Sequence, residues 1–448
     1  MSDRTRVVVV GTGASGTLAA VHLLRAAIRL ELVLVDRSGE FGPGKAYRTA
    51  DPAHLLNTPA GKMSALADDP GHFVRWSRAQ GRAVDAGTFL PRGDYGRYLA
   101  EALSEQERTA GRSAVVRRVT DTATGLAADG NGVTVELARN GSMRADFAVL
   151  ATGVGSGDPL ADMLPDDSLR YVVDPWAGPL EVADGSTVLV LGTGLSMMDL
   201  AVSITRKSPD SVVHAVSRHG LLPRPHRPGP PGPPSAPEPP QRIGSLGDLL
   251  GFARRCVAAD PDRWRDFVDR LRPHAPRLWQ QLDVADRQRF LDRVDRYWDV
   301  HRHRAAPATH RRVHALLGAG RLRLHRGRVT AVRPTGDGFD VELAGGPAAT
   351  RTLRVGWLLN TTGFRRDVGD PLVHRLLADG TAHPDLVGLG VRTGGDGRML
   401  DRRGEPSRIF TLGALRRGEL FESTAVPEIR AQAARIASTV TALPTPPV

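Results

Sequence analysis

One short run occurs twice in this chain, and it constrains the fold more than any other feature. Val7-Val8-Val9-Val10-Gly11-Thr12-Gly13 returns as Val188-Leu189-Val190-Leu191-Gly192-Thr193-Gly194. Each copy is followed at a distance by a second shared pattern. Residues 118–153 and 328–363 both read as alternating strands broken by Gly, Asn and Asp turns, then an apolar strand ending in Thr-Gly. Two domains of similar architecture in tandem explain this order; a solenoid would need shorter and more numerous repeats. A chain of 448 residues exceeds one ordinary core and suits two or three.

The first copy has the full context of a nucleotide-binding turn. Gly11-Thr12-Gly13-Ala14-Ser15-Gly16 follows four valines and opens an apolar helical pattern, Leu18, Ala19, His22, Leu23. A second buried strand, Leu32 to Val35, then ends at Asp36, 25 residues past Gly11. Gly11 permits the tight turn, Gly13 lets a pyrophosphate approach the backbone, and Gly16 lets the helix pack on the sheet. The helix start at Ala14 and Ser15 offers unpaired amides to phosphate. Asp36, with Arg37 beside it, would meet the ribose hydroxyls. The expected fold class is therefore α/β, with two Rossmann-like dinucleotide-binding domains carrying inserted β-meanders.

The second copy, Gly192-Thr193-Gly194-Leu195-Ser196-Met197, puts Met where the third glycine stood, so its helix is expected farther from the sheet. Its second strand, Val212 to Val216, ends at Ser217-Arg218-His219, with no acid at the equivalent of Asp36. An acid there would repel a 2′-phosphate, whereas serine and arginine would bind it. NADPH is favoured here, with NADH as the alternative.

Two stretches fall outside the echo. Leu222 to Pro240 contains ten prolines and is expected to be extended. Amphipathic patterns follow to about Leu317, among them Trp264, Phe267, Leu271 and Phe290, Val294, Trp298. They read as a helical insertion in the second domain. The single cysteine, Cys256, excludes a disulfide framework, a Cys-x-x-Cys pair and a thiolate metal cluster within one chain. The net charge of +11 is carried by arginine, with lysine only at Lys45, Lys62 and Lys207. It gathers most densely from His301 to Arg328, where eight Arg and five His meet no carboxylate. That run is either a solvated basic face or a docking surface for phosphates or an anionic substrate. Aromatic residues for base stacking are scarce there, so nucleic acid is not expected. His301 and His303 in a helical setting, near the single acid Asp299, do not make a metal site. No apolar run is long enough to span a bilayer, and the N-terminal apolar stretch lacks the layout of a signal peptide. A cytoplasmic protein without a membrane partner is expected.

Longer motifs carry a family resemblance. Gly44-Lys45-Ala46-Tyr47, the stretch from Leu55 through Asn57-Thr58-Pro59-Ala60-Gly61-Lys62-Met63-Ser64 to Leu66, Gly192 to Asp199, Ser217-Arg218-His219-Gly220 and Gly418 to Glu428 together resemble the bacterial FAD/NAD(P)-binding two-dinucleotide flavoproteins. Relatives of that architecture include NADPH-dependent flavin monooxygenases and N-hydroxylases. The resemblance implies FAD in the first site, with Asn57 and Met63 beside the flavin and Ser64 among the cofactor-binding residues. It also implies a discontinuous FAD domain: residues 1–170 and 326–448, around an NAD(P)H domain at 171–325 whose insertion covers about 222–317. The small-residue turns Thr152-Gly153 and Thr362-Gly363, the strand ending at Gly413, and a helix beginning after Thr424 and Ala425 complete the expected cofactor contacts. Thr424 is its expected cap, and its N-terminus would favour an anionic reduced ring.

The implied function is an FAD-dependent NAD(P)H oxidoreductase, in first place a monooxygenase that hydroxylates a small amine or amino acid with molecular oxygen through a flavin hydroperoxide. The alternative is a reductase passing electrons to a carrier protein or quinone, and after it a flavin-bound sensor. For substrate contacts and catalysis the candidates are Asp299, His301 and Arg304 in the insertion, then Glu419 with Arg416 and Arg417. The sequence leaves the oligomeric state open.

Overall fold

The computed structural model describes residues 4–444 apart from 154, 156, 165–167, 228–235, 260–263, 346–349 and 364–368. The middle of the proline-rich run therefore lies outside the described residues.

The first unit is built on strands β1 (Thr5–Val10), β2 (Leu30–Asp36) and β3 (Ala114–Thr120), the meander β4 (Ala123–Asp129), β5 (Gly132–Leu137) and β6 (Gly141–Ala145), and β7 (Phe147–Leu150). The second repeats the plan with β8 (Tyr171–Val172), β9 (Thr187–Leu191), β10 (Val212–Ser217), β11 (Leu322–Arg326), the meander β12 (Arg328–Pro334), β13 (Phe339–Ala344) and β14 (Thr350–Val355), and β15 (Trp357–Asn360). The chain then returns to the first sheet with β16 (Arg398–Leu400) and β17 (Pro406–Thr411). The sheet orders are β16-β17-β7-β1-β2-β3 and β11-β10-β9-β15-β8. Apart from the antiparallel β16–β17 edge, all of these pairings are parallel.

The four valines of β1 are explained by burial on both faces of a parallel sheet. Val7 and Val9 face a core made with the helices Ala14–Leu24, Arg92–Ala110 and Val426–Ala442. Val8 and Val10 face the first meander and the helix Pro371–Ala378. In the second unit Val188 and Val190 pack on the helices Leu195–Lys207 and Pro307–Gly318, and Leu189 and Leu191 on the second meander.

The boundary expected at residue 326 moves. Strand β15 pairs with β9 and β8, so the meander before it and β15 itself complete the second sheet. The chain rejoins the first sheet only at β16 and β17, where Ile409, Phe410 and Thr411 pair with Ala148, Val149 and Leu150 of β7. The insertion forms the helices Leu246–Ala259, Trp264–Leu271, Ala275–Gln281, Val284–Arg293 and Asp295–Arg302. The Phe290, Val294, Trp298 stripe read as one helix is split between the last two. The insertion's apolar core closes on Phe421 of the C-terminal segment.

Candidate active site

The first glycine turn is shaped by close approach. Gly11 has φ +86°, and a side-chain carbon there would lie 2.7 Å from the Ala151 carbonyl oxygen. One on Gly16 would lie 1.9 Å from the Gly11 carbonyl oxygen, so the helix can meet the turn only without a side chain. Gly13 is the N-cap of the helix Ala14–Leu24 and brings no side-chain cap, leaving the first-turn amides to another acceptor. Beside Gly11, the Thr152 hydroxyl oxygen is buried without a partner among the described residues, and Gly153 turns at φ +75°. A cradle with close backbone approach, an uncapped helix start and an orphan hydroxyl fits the pyrophosphate end of FAD.

Asp36 does more than sequence reading gave it. Its Oδ2 accepts from the Thr12 amide at 2.8 Å and the Thr12 hydroxyl at 3.0 Å, and its Oδ1 from the amide and hydroxyl of Ser38 at 2.9 and 2.7 Å. Burial alone would raise this carboxyl; the hydrogen bonds outweigh it and hold the pKa below the usual carboxylate range. Arg37 points to the surface. The C-terminal segment closes the cradle. A carbon on Gly413 would lie 3.3 Å from the Ser15 hydroxyl, and the Gly413 amide donates to Gln432 Oε1 at 3.0 Å. Met63 is packed in the first core. The Ser64 hydroxyl is taken by its own loop, donating to the Asp69 carbonyl at 2.6 Å, so it is no free ligand donor. Thr424 does not cap the next helix: the N-cap is Ala425, again without a side-chain bond.

The second turn repeats this design with different chemistry. Gly192 has φ +111° and its β-carbon position lies 2.7 Å from the Thr361 carbonyl oxygen. Gly194 caps the helix Leu195–Lys207, with no side-chain bond, and nothing lies within 4 Å of its β-carbon position. Met197, in place of the third glycine, is buried in the second core. Thr193 holds Ser217 as Thr12 holds Asp36: the two hydroxyl oxygens are 2.8 Å apart, and Ser217 Oγ accepts from the Gly220 amide at 3.0 Å. Ser217 is thus spent on the turn, while Arg218 and His219 are exposed. Thr362 bonds Asn360 through its amide and hydroxyl, fixing the turn that ends at Gly363. The shared Thr of the two Gly-Thr-Gly runs was visible in the sequence, but its task was not.

Between the units lies a buried polar latch. Ser203 Oγ, on the helix of the second turn, donates to Asp51 Oδ2 at 2.5 Å and lies 2.6 Å from His54 Nε2. Its one proton goes to the carboxylate, so His54 Nε2 carries the ring proton and Nδ1 accepts from the Thr49 hydroxyl at 2.7 Å. Burial, with Asp51 opposing and Arg92 assisting, pushes the His54 pKa down to about 4. Nearby Arg92 meets Asp199 at 3.1 Å; burial raises that carboxyl to about 6 against the pull of Arg92. Serine, histidine and aspartate meet here without the geometry of a nucleophile, because the carboxylate holds the serine rather than the imidazole.

The insertion and the strap before it reach the segment that carries Asn57 and Lys62. The strap leaving the second turn brings the His226 ring to the Asn57 carbonyl oxygen, 2.9 Å from Nε2. Lys62 is exposed, yet partial desolvation lowers its pKa, with Asp269 opposing and Arg272, Arg304 and Arg302 assisting. Arg304 is buried and paired with Asp269. His301 stands edge-on to Trp264, 4.8 Å between centroids, and Arg304 approaches the same ring. Asp299 does not join them: it lies on an exposed face, paired with His303 at 2.7 Å, because the helix turns it away from Trp264. Glu419 sits with Asp385, where burial and that carboxylate raise its pKa. Arg416 is buried against the Thr393 hydroxyl and the Gly394 carbonyl, and Arg417 pairs with Asp295. Among the described residues no group of three metal-ligating side chains occurs, and no helix is long and apolar enough to cross a membrane.

Phe421 fastens the insertion to the C-terminal segment. It has φ +58°, with Glu422 N donating to the Leu420 carbonyl at 2.7 Å, a strained three-residue turn worth roughly 1–3 kcal/mol. Its ring stacks on Trp279 at 4.9 Å and meets Phe290 edge-on at 5.0 Å. Glu422 accepts from Trp298 Nε1 at 2.8 Å and Arg302 Nε at 2.9 Å, and Arg272 forks onto Glu428 at 2.7 and 2.6 Å. Sequence spacing could not have paired these segments, which are more than a hundred residues apart.

Residues 8–155 match the model of an FAD-NAD(P)-binding family. No curated protein matches by sequence. Among solved structures, ornithine hydroxylase from Pseudomonas aeruginosa aligns at 16% identity and TM-score 0.65, covering 98% of this chain and 99% of that one. L-lysine 6-monooxygenase from Pseudomonas syringae aligns at 18% and 0.64, covering 98% and 99%. Bacillithiol disulfide reductase from Bacillus cereus aligns at 15% and 0.57, again covering 98% and 99%. At these identities the likeness is one of fold. Both glycine cradles, the inserted meanders and these matches agree on the fold: two Rossmann-like units in tandem, the first of which, over residues 8–155, matches an FAD-NAD(P)-binding family model.

Proposed function

We propose that this protein is an FAD-dependent, NADPH-oxidising monooxygenase that hydroxylates the nitrogen of a small amine or amino acid. The observation that carries the reading is the alignment along 98% of the chain with an ornithine hydroxylase and a lysine monooxygenase. FAD, held by the first cradle, would supply the redox chemistry that links NADPH oxidation to the reduction of dioxygen. In balance, the amine, dioxygen, NADPH and a proton give the hydroxylamine, water and NADP⁺.

The chain's own residues bind and orient. The first cradle, from Gly11 to Gly16 with Thr152, holds the FAD pyrophosphate, and the second, from Gly192 to Ser196, holds that of NADPH. Lys62, whose arginine neighbours are already paired with Asp269, Glu422 and Glu428, is the cation that suits a carboxylate on the substrate. The aromatic seat of Phe421 keeps water from the roof of the cleft. On this reading the partners are a small amine, NADPH and oxygen, and the compartment is the cytoplasm.

The reductase reading keeps one support, the alignment with a disulfide reductase. Cys256 is the only cysteine, which excludes a paired intrachain dithiol. The deciding experiment incubates the yellow protein with NADPH, isotope-labelled dioxygen and a panel of diamines and basic amino acids. Label in a hydroxylated amine, in step with NADPH consumed, supports the proposal. NADPH oxidation that yields no labelled amine, but reduces a quinone or carrier protein, overturns it.

A further inference from the structure

The arginine-rich run from His301 to Arg328 comes apart in three dimensions. Arg302 and Arg304 are buried in pairs with Glu422 and Asp269. Arg321 donates to the Ser211 carbonyl at 2.9 Å, and Arg323 to that of Gly320 at 3.3 Å. Arg311 and Arg312 lie on the outer face of the helix Pro307–Gly318. Arg326 and Arg328 remain, and they stand at the mouth of the second glycine turn.

Their place there is fixed by backbone. Arg326 ends β11 in register with Ser217, which ends β10, and the Gly327 amide donates to the Ser217 carbonyl at 2.9 Å. The loop after Ser217 folds back so closely that a β-carbon on Gly220 would lie 3.5 Å from that of Arg326. Arg218 and Arg326 therefore leave from neighbouring strand ends. Arg218, Arg326 and Arg328 are all exposed, and none of their guanidinium groups has a carboxylate partner among the described residues. The field is felt by His219, whose pKa is lowered by desolvation and then by Arg296, Arg218, Arg326 and Arg328.

We propose that Arg218 and Arg326 form a two-armed clamp for the 2′-phosphate of NADPH, with Arg326 supplying the second donor set that Ser217 cannot. The inference rests on the NADPH reading above and assigns the discrimination to a residue of the third strand. Ser217 Oγ is held between Thr193 and the Gly220 amide, so its hydroxyl positions the loop. A 2′-phosphate carries about −1.5 to −2 charges at neutral pH, and two guanidinium forks can meet it with parallel hydrogen bonds. The 2′-hydroxyl of NADH offers them nothing comparable. Arg328, on the next strand, deepens the attraction.

The test uses the FAD-loaded protein and two probes, adenosine 2′,5′-bisphosphate and adenosine 5′-monophosphate, with dissociation constants measured by calorimetry. Arg326→Gln is expected to weaken the bisphosphate roughly 10- to 100-fold, as loss of a charge-assisted contact does, while the monophosphate changes less than about twofold. Arg326→Lys, which keeps the charge without the fork, should fall between. If Arg218→Gln is selective and Arg326→Gln is silent, the clamp is wrong while the NADPH reading stands. An equal loss for both probes in Arg326→Gln also refutes it. A wild-type protein that binds the two probes alike refutes the clamp and the NADPH reading together.

Discussion

His54 makes the contact between the two nucleotide units sensitive to pH, with a sign and size that follow from its surroundings. It is buried, its Nε2 proton is directed at Ser203, and its pKa is lowered from 6.5 to about 4. A base with a depressed folded pKa adds stability that is complete above the unfolded value and is lost as pH falls through the folded one. From pH 7 to pH 5 the unfolded chain takes up this proton while the folded chain does not, a loss of about 2 kcal/mol, approaching about 3 below pH 4. Urea denaturation of wild type and His54→Gln at pH 7 and pH 5 isolates the effect. The variant, which cannot titrate here, should lose about 2 kcal/mol less than wild type over that interval. Equal losses in both proteins would show that His54 is not held neutral in the latch, and the hydrogen-bond order assigned to Thr49, His54, Ser203 and Asp51 would fall with it.

Gly16→Val should give a colourless protein, because a β-carbon 1.9 Å from the Gly11 carbonyl oxygen opens the cradle; retained FAD in the purified variant would contradict that account. Glu422→Gln strands the Arg302 charge in a buried site and should cost about 3–5 kcal/mol, read by denaturant midpoint, whereas a cost under about 1 would mean the pair is hydrated. Lys62→Met should raise KM for a carboxylate-bearing amine about tenfold, the scale of one charge-assisted contact, and leave KM for NADPH unchanged; the reverse pattern would move Lys62 out of the substrate cleft.

Local signals carried the parts of this fold that are local. Four valines before Gly11 and the matching run before Gly192 are near-continuous apolar strands opening on tight turns, and strand, turn and helix follow each other within a few residues. The acid at Asp36 and its replacement at Ser217 were legible because spacing alone sets the end of the second strand. What escaped was non-local. Strand β15 joins the second sheet through hydrogen bonds that leave no mark in its composition, so the return to the first domain was placed too early. Asp299 and Arg304 were grouped because they are near in sequence, yet Asp299 faces solvent from the helix Asp295–Arg302 while Arg304, past its end, turns toward Trp264. Ser217 looked like a phosphate ligand; the Thr193 contact that occupies it forms only when the turn closes. Phe421 lay within the motif from Gly418 to Glu428, but its task had no local signal, since its meaning lies in a positive φ and in rings from a distant segment.

The interleaved sheet order also sets a timetable for synthesis. Every strand of the second sheet lies between residues 171 and 360, so that unit can close while the chain is still being made. The first unit begins earlier and finishes later. Until residues 406–411 emerge, β7 presents an unpaired edge, and until 426–442 follow, the Val7 and Val9 face lacks one of its covering helices. The half of the protein translated first is thus the half completed last, with an aggregation-prone strand edge exposed in the interval.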